Sequence, residues 1–134
     1  MRPEFLAVGE GRDARDEITR YLHFRPQFAA MLDERFYTIE WLDKSVAEGT
    51  VRALSSDTAS ILTEIRIYPT GAKELHGLAA VGDLESIKRL IEIAEKRAAS
   101  EDCIIASIAS RPGWSKALRS AGYFIHQVEI RKEL

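Results

Sequence analysis

Ser-Arg-Pro-Gly-Trp-Ser-Lys-Ala-Leu-Arg-Ser-Ala-Gly-Tyr, residues 110–123, is the stretch whose reading decides the fold. An apolar run, Cys103 to Ala109, precedes it, and an alternating run, Tyr123 to Ile130, follows it. The pattern predicts strand, helix, strand. Pro112 can open a helix because its missing N–H would be unpaired there in any case. Trp114, Ala117, Leu118 and Ala121 fall at helical spacing and form one apolar stripe. Gly122 can take the left-handed conformation that ends a helix. The run before it is apolar on both faces, as in a central strand between two layers.

Upstream, Leu84, Ile87, Leu90, Ile91, Ala94 and Ala98 make the clearest helical stripe in the chain, opened by Gly82-Asp83. Before it come two strands. Ile61 to Tyr68 alternates, with Ile61, Thr63, Ile65 and Ile67 on the buried face, and Leu75 to Val81 returns after a Pro69-Thr70-Gly71 turn. Val51 to Leu54 is a shorter β-like piece, set off by the turn residues Ser55 to Thr58. The first third reads as helical. Asp13 is a plausible N-cap for Ala14, Ile18, Tyr21 and Leu22, and Pro26 should break that helix at Arg25. Phe28, Met31 and Leu32 suggest a short second piece. Thr38 should cap a third helix with Ile39, Leu42 and Val46 inward and Gly49 as its stop.

The expectation is one domain over residues 1–134. It divides into an arm or edge segment (1–12), a helical part (13–49) and a sheet with two helices (50–134). The strand–helix–strand unit from Leu75 to Ala109 should join parallel strands by a right-handed crossover. The predicted class is α/β, a mixed central sheet with helices on both faces and a helical N-terminal third.

Composition narrows the function. A hydrophobic fraction of 46% and a charged fraction of 30% fit an ordinary globule. A net charge of −2 argues against bulk electrostatic binding to nucleic acid or an anionic membrane. No apolar run approaches the roughly 20 residues that span a bilayer. The single cysteine, Cys103, excludes an internal disulfide and reads as a buried thiol in an intracellular protein. His23, His76 and His126 are too scattered to suggest a metal site, so none is expected.

The element order, with a long helix after the hairpin and a short helix ending in Ala-Gly-Tyr, resembles the GNAT (acyl-CoA N-acyltransferase) superfamily. The likeness covers Ile61 to Leu134. Several motifs are similar to small GNAT-like proteins of bacteriophages and prophages: Thr63-Glu64-Ile65, Tyr68-Pro69, Ala80-Val81-Gly82-Asp83-Leu84-Glu85, Arg111-Pro112-Gly113-Trp114, Gly122-Tyr123 and Lys132-Glu133-Leu134. The resemblance implies a coenzyme A pyrophosphate held by backbone at Ala80, Val81 and Gly82, with Arg111 and Lys116 as further candidates for its phosphates. A proton acceptor would come from the hairpin, where Glu64 and Glu74 lie in or beside the strands and His76 is in the second; Tyr68 is a candidate proton donor.

The chain also departs from the superfamily pattern. The pyrophosphate turn has one glycine, and Ala79 stands where Gln or Arg is usual. Asp83 and Glu85 are acidic where phosphates would sit. Leu118 occupies the position of the usual general-acid tyrosine, and Arg111 that of the usual asparagine. These departures predict a catalytically degenerate protein with no cofactor. It would act through protein contacts, with virion proteins or further copies of itself, in a bacterial host cytoplasm or a virion. The alternative is an acetyl-CoA-dependent N-acetyltransferase of unknown acceptor.

Overall fold

The computed structural model describes residues 11–134, with side chains from residue 15 onward. All but the last two residues of the expected arm therefore lie outside the described part. The first helix, α1 (Gly11–Met31), starts two residues before Asp13, so that residue is not its N-cap.

α1 runs unbroken through Pro26. The expected break at Arg25 fails on energetic grounds. A proline inside a helix costs about 3 kcal/mol. Tyr21, Phe24 and Phe28, on either side of it, are buried on the core face, and each is worth about 1.5–3 kcal/mol or more. Two phenylalanines together outweigh the lost backbone bond. α2 (Ile39–Glu48) forms as the sequence predicts. Thr38 Oγ1 accepts from the Trp41 N–H at 3.1 Å, and Gly49 closes the helix at φ +81°. Asp43 of α2 ties the two helices together, accepting from Tyr21 Oη at 2.7 Å and from Arg25 Nη2 at 2.8 Å.

The sheet follows: β1 (Arg52–Ser55), β2 (Ala59–Ile67) and β3 (Lys73–Gly82), then α3 (Leu84–Ser100) and β4 (Cys103–Ile108). Strand order is β1-β2-β3-β4, antiparallel except for the β3–β4 pair, which is parallel. This is the mixed sheet expected. α1 and α2 cover one face, packing Tyr21, Phe28, Leu42 and Val46 on Ala53, Leu62 and Val81. α3 covers the other, packing Ile87, Leu90, Ala94 and Ala98 on Ala59, Ile61 and Leu75.

Three expectations change here. β2 does not have one buried face. Its first residues, Ala59 to Leu62, are buried on both, between the two helical layers. Its far half projects beyond them, and Ile67 is 70% exposed. β4 is an edge strand and not a central one, with Ile104 77% and Ile105 53% exposed. The alternating run Tyr123 to Ile130 is not a strand. A strand has no hydrogen bonds of its own, so alternation alone cannot make one without a partner edge. Here the chain leaves β4 instead, and Glu133 pairs with Arg35 in the α1–α2 loop at 2.7 Å.

The Ser110–Tyr123 stretch forms a short helix, α4 (Gly113–Ala117), and a 3₁₀ turn at Arg119–Ala121. Gly122 ends it at φ +94°, as predicted. Trp114 packs half-buried on the α3 cluster, and Leu118 is buried at 2% exposure.

Candidate functional site

β3 carries one residue too many. Leu62 pairs with Ala79 and Thr63 with Gly77, so Leu78 is a bulge. The ladder to β4 stops at the same place, its last pair being Gly77 with Ile108. Beyond it, Leu78 to Gly82 runs on beside β2 with no strand on its other side among the described residues. The parallel strands thus part at their carboxyl ends, the usual place for a ligand crevice in an α/β sheet.

Just before the parting point, the pleat puts several polar side chains on one face. Glu64 pairs across from His76, and Arg66 from Glu74. Glu74 and His76 in turn align with Ile105 and Ser107 of β4. The result is a hydrogen-bonded chain. Tyr68 Oη donates to Glu74 Oε1 at 2.8 Å. Ser107 Oγ donates to Glu74 Oε2 at 2.8 Å. His76 Nδ1 lies 2.8 Å from Ser107 Oγ. Arg66 stands 3.7 Å from Glu74 and 3.3 Å from Glu64. Glu74 and His76 are buried, at 6% and 5% exposure.

The proton inventory of this chain is determinate. Burial pushes the Glu74 carboxyl up, but hydrogen bonds from Ser107 and Tyr68, with the charges of His76 and Arg66, hold it below the usual glutamate value. Glu74 is therefore ionised at neutral pH and can only accept. The one hydroxyl proton of Ser107 goes to it. The Ser107 oxygen must then accept from His76, which carries its proton on Nδ1. Nε2 is left with its lone pair. Burial, and next the Arg66 charge, lower the His76 pKa, so the ring is neutral and basic at Nε2 near pH 7.

Of the candidates named from sequence, His76 and Tyr68 enter this network directly. Glu64 stays at its margin, paired with Arg66. Tyr68 is tied to Glu74, whose hydrogen bond raises its pKa, so it holds its proton and orients the carboxylate. Ser107 was not recognised in the sequence, and Glu74 was seen only as an acid of the hairpin. Ser107 hides in an apolar run, and only the β3–β4 register brings it to His76.

The cofactor candidates divide. Ala80, Val81 and Gly82 are the backbone beyond the bulge. Gly82 is at φ +111°, and a Cβ there would lie 2.3 Å from the Thr58 carbonyl oxygen, so no other residue fits. Asp83 caps α3, accepting from the Ser86 N–H at 3.0 Å and from Thr58 Oγ1 at 2.7 Å. Those bonds, the Thr58 one first, hold its carboxyl at a pKa of about 2. A fixed negative charge thus occupies the start of the helix. Arg111 and Lys116 are exposed near or on the short α4. Leu118, at the acid position, is buried and has no proton to give.

Several solved structures similar in fold are described as acetyltransferases. An acetyltransferase of Trypanosoma brucei superposes with a TM-score of 0.63 at 13% identity, over 89% of this chain and 94% of its own. The chain has the GNAT fold. The ribosomal-protein-alanine N-acetyltransferase of Brucella melitensis matches this GNAT fold at a TM-score of 0.62 and 10% identity, over 88% and 96% of the two chains. A predicted acetyltransferase of Clostridium acetobutylicum, solved with acetyl-CoA, gives 0.61 at 8% identity, over 87% and 90%. No family model and no curated protein matches the sequence. At these identities the likeness is one of GNAT architecture.

Against that fold, the residues fit an acyl-CoA at one end and not at the other. The open β3 backbone beyond Leu78 offers hydrogen-bond partners to an extended arm, and His76 lies beside the parting strands. The pyrophosphate end lacks a glycine-rich cradle, and Asp83 has taken the Ser86 N–H a phosphate would use.

Proposed function

We propose that this chain is an acyl-CoA-dependent N-acyltransferase with His76 as its general base. The observation that carries the reading is the buried Glu74–Ser107–His76 chain at the point where β3 and β4 separate. Acyl-CoA would supply an activated thioester. The acceptor amine bonds to the acyl carbon, the carbon–sulfur bond breaks, and His76 Nε2 takes the amine proton. The imidazolium then returns that proton to the leaving sulfur, which makes up for the missing acid at Leu118. Ser107 and Glu74 hold the ring in the tautomer that exposes a basic Nε2. Removing a positioned general base costs about 10²–10⁴ in rate.

A second reading has one observation in its favour. The Asp83 carboxylate at the α3 N-terminus suits a helix with no anion bound, as in a degenerate protein acting by protein contacts in a virion. Calorimetric titration with acetyl-CoA separates the two. Micromolar binding, together with coenzyme A thiol release on adding amines and its loss in His76→Gln, is expected. No binding at millimolar ligand would end the enzyme reading and leave the second.

A further inference from the structure

Glu64 has no part in orienting His76, yet it stands directly across the β2–β3 ladder from it. Side chains paired in this way have Cβ atoms about 5 Å apart. The two differ in their contact with water. The His76 side chain is 6% exposed and that of Glu64 30%. A buried neutral base thus lies beside a carboxylate that reaches the surface.

That carboxylate is only loosely engaged. Its Oε2 accepts from Arg66 Nε at 3.3 Å, longer than a usual hydrogen bond of this kind. Its Oε1 has no partner among the described residues. Arg66 also faces Glu74 at 3.7 Å, so it keeps a carboxylate when Glu64 is taken by something else. The charges that act on the His76 ring are those of Arg66, Glu64 and Glu74. Two carboxylates against one guanidinium leave one negative charge in excess, and the ring itself is neutral. The excess lies on the face that an acceptor must share with Nε2. A second cation on the acceptor suits this face, and a carboxylate is repelled from it.

We propose that the acceptor is an aliphatic diamine, with Glu64 holding its far, protonated amine while the near amine, in its neutral form, reaches His76 Nε2. The far alkylammonium keeps its charge at neutral pH and brings three N–H donors, one of which Glu64 Oε1 accepts. That charge also disfavours a second one close by, so the near amine sheds its proton more easily than a simple alkylamine does. Glu64 then selects the substrate and His76 reacts with it. The inference rests on the acyltransferase reading of the same site and gives that reading its acceptor.

The test follows thiol release from acetyl-CoA with three acceptors of equal chain length: diaminobutane, butylamine and aminobutanoate. Diaminobutane should exceed butylamine at least about tenfold in kcat/KM, mainly through KM, as expected for one hydrogen bond between charged partners. Aminobutanoate should be the poorest of the three. Glu64→Gln keeps the size of the side chain and an acceptor for Arg66, and should abolish the advantage of the diamine. Arg66→Gln removes the competing cation and should widen it. Each result is a ratio between acceptors, so any change that a variant makes to His76 itself cancels. Equal rates on the diamine and the monoamine would overturn the proposal while leaving His76 as the base. So would a preference for aminobutanoate, or a diamine preference that survives Glu64→Gln. Absence of thiol release with every amine would overturn the acyltransferase reading, and this inference with it.

Discussion

Ser107→Ala is the sharpest perturbation of the site. The hydroxyl makes two hydrogen bonds of 2.8 Å, donating to Glu74 and accepting from His76. Both partners are buried. Alanine leaves the His76 Nδ1–H without its acceptor and strips Glu74 Oε2 of its hydroxyl donor, with Arg66 still 3.7 Å away. A buried group left unsatisfied costs about 1–3 kcal/mol, so the two together should cost about 2–6 kcal/mol, toward the lower end because Arg66 still faces Glu74. Urea denaturation at pH 7.5 measures this directly. The pH dependence carries a second signature. Glu74 has a lowered folded pKa, so its stabilisation is present above the usual glutamate value and is lost as pH falls through the lowered one. Ser107→Ala removes one of the bonds that lower it, and the acid limb should shrink. The third readout is the ring itself. Nitrogen NMR of the native protein should show His76 neutral and protonated on Nδ1, and the variant should show mixed tautomers. A stability change under about 0.5 kcal/mol, or a native ring protonated on Nε2, would refute the proton inventory.

Other perturbations test separate links. Gly82→Ala puts a Cβ 2.3 Å from a backbone carbonyl at φ +111°; a loss of about 3 kcal/mol or more is expected by thermal denaturation, since neither neighbour can yield. Asp83→Asn removes the charge and keeps one acceptor oxygen, enough to cap the Ser86 N–H while the Thr58 hydroxyl turns to accept from the new amide N–H, so stability at pH 7 should fall only slightly while acyl-CoA binds more tightly by calorimetry. Its stability should also lose part of the native decline as pH falls from the usual aspartate range through about 2, the part that comes from protonating Asp83. If His76 is the base, thiol release should rise with pH through an inflection below 6.5, the ordinary histidine value, because burial lowers its pKa; an inflection above it would exclude His76.

Legibility in the sequence followed the range of the interaction. Thr38, Gly49, Asp83 and Gly122 act within a few residues of themselves, and each stands where its chemistry predicts. The β2–β3 hairpin was readable for the same reason. Pro26 was misread because its local cost is real but is outweighed by Phe24 and Phe28, whose burial depends on a sheet not yet formed in the reading. Cys103–Ile108 was misread as central because an apolar run says that both faces are apolar, not that both sides are paired. In the site, His76 was visible as a residue type. Its partner Ser107 lies 31 residues further on and becomes a partner only through the parallel register. No period in the sequence encodes that register.

The extra residue at Leu78 amounts to a frameshift in the pleat. Up to His76, the even-numbered positions of β3 face the α1–α2 side; past the bulge, Ala79 and Val81 do. One face of one strand can therefore be charged in its first half and oily in its second, with neither half compromising the other. Flattening the bulge while keeping every residue would turn Val81 out of the α1–α2 core and into the α3 layer, whereas deleting Leu78 would give a regular strand with Val81 still on the α1–α2 face. The reading frame of this strand is thus set by an irregularity, and the polar chain and the apolar core share a face only because the strand loses count between them.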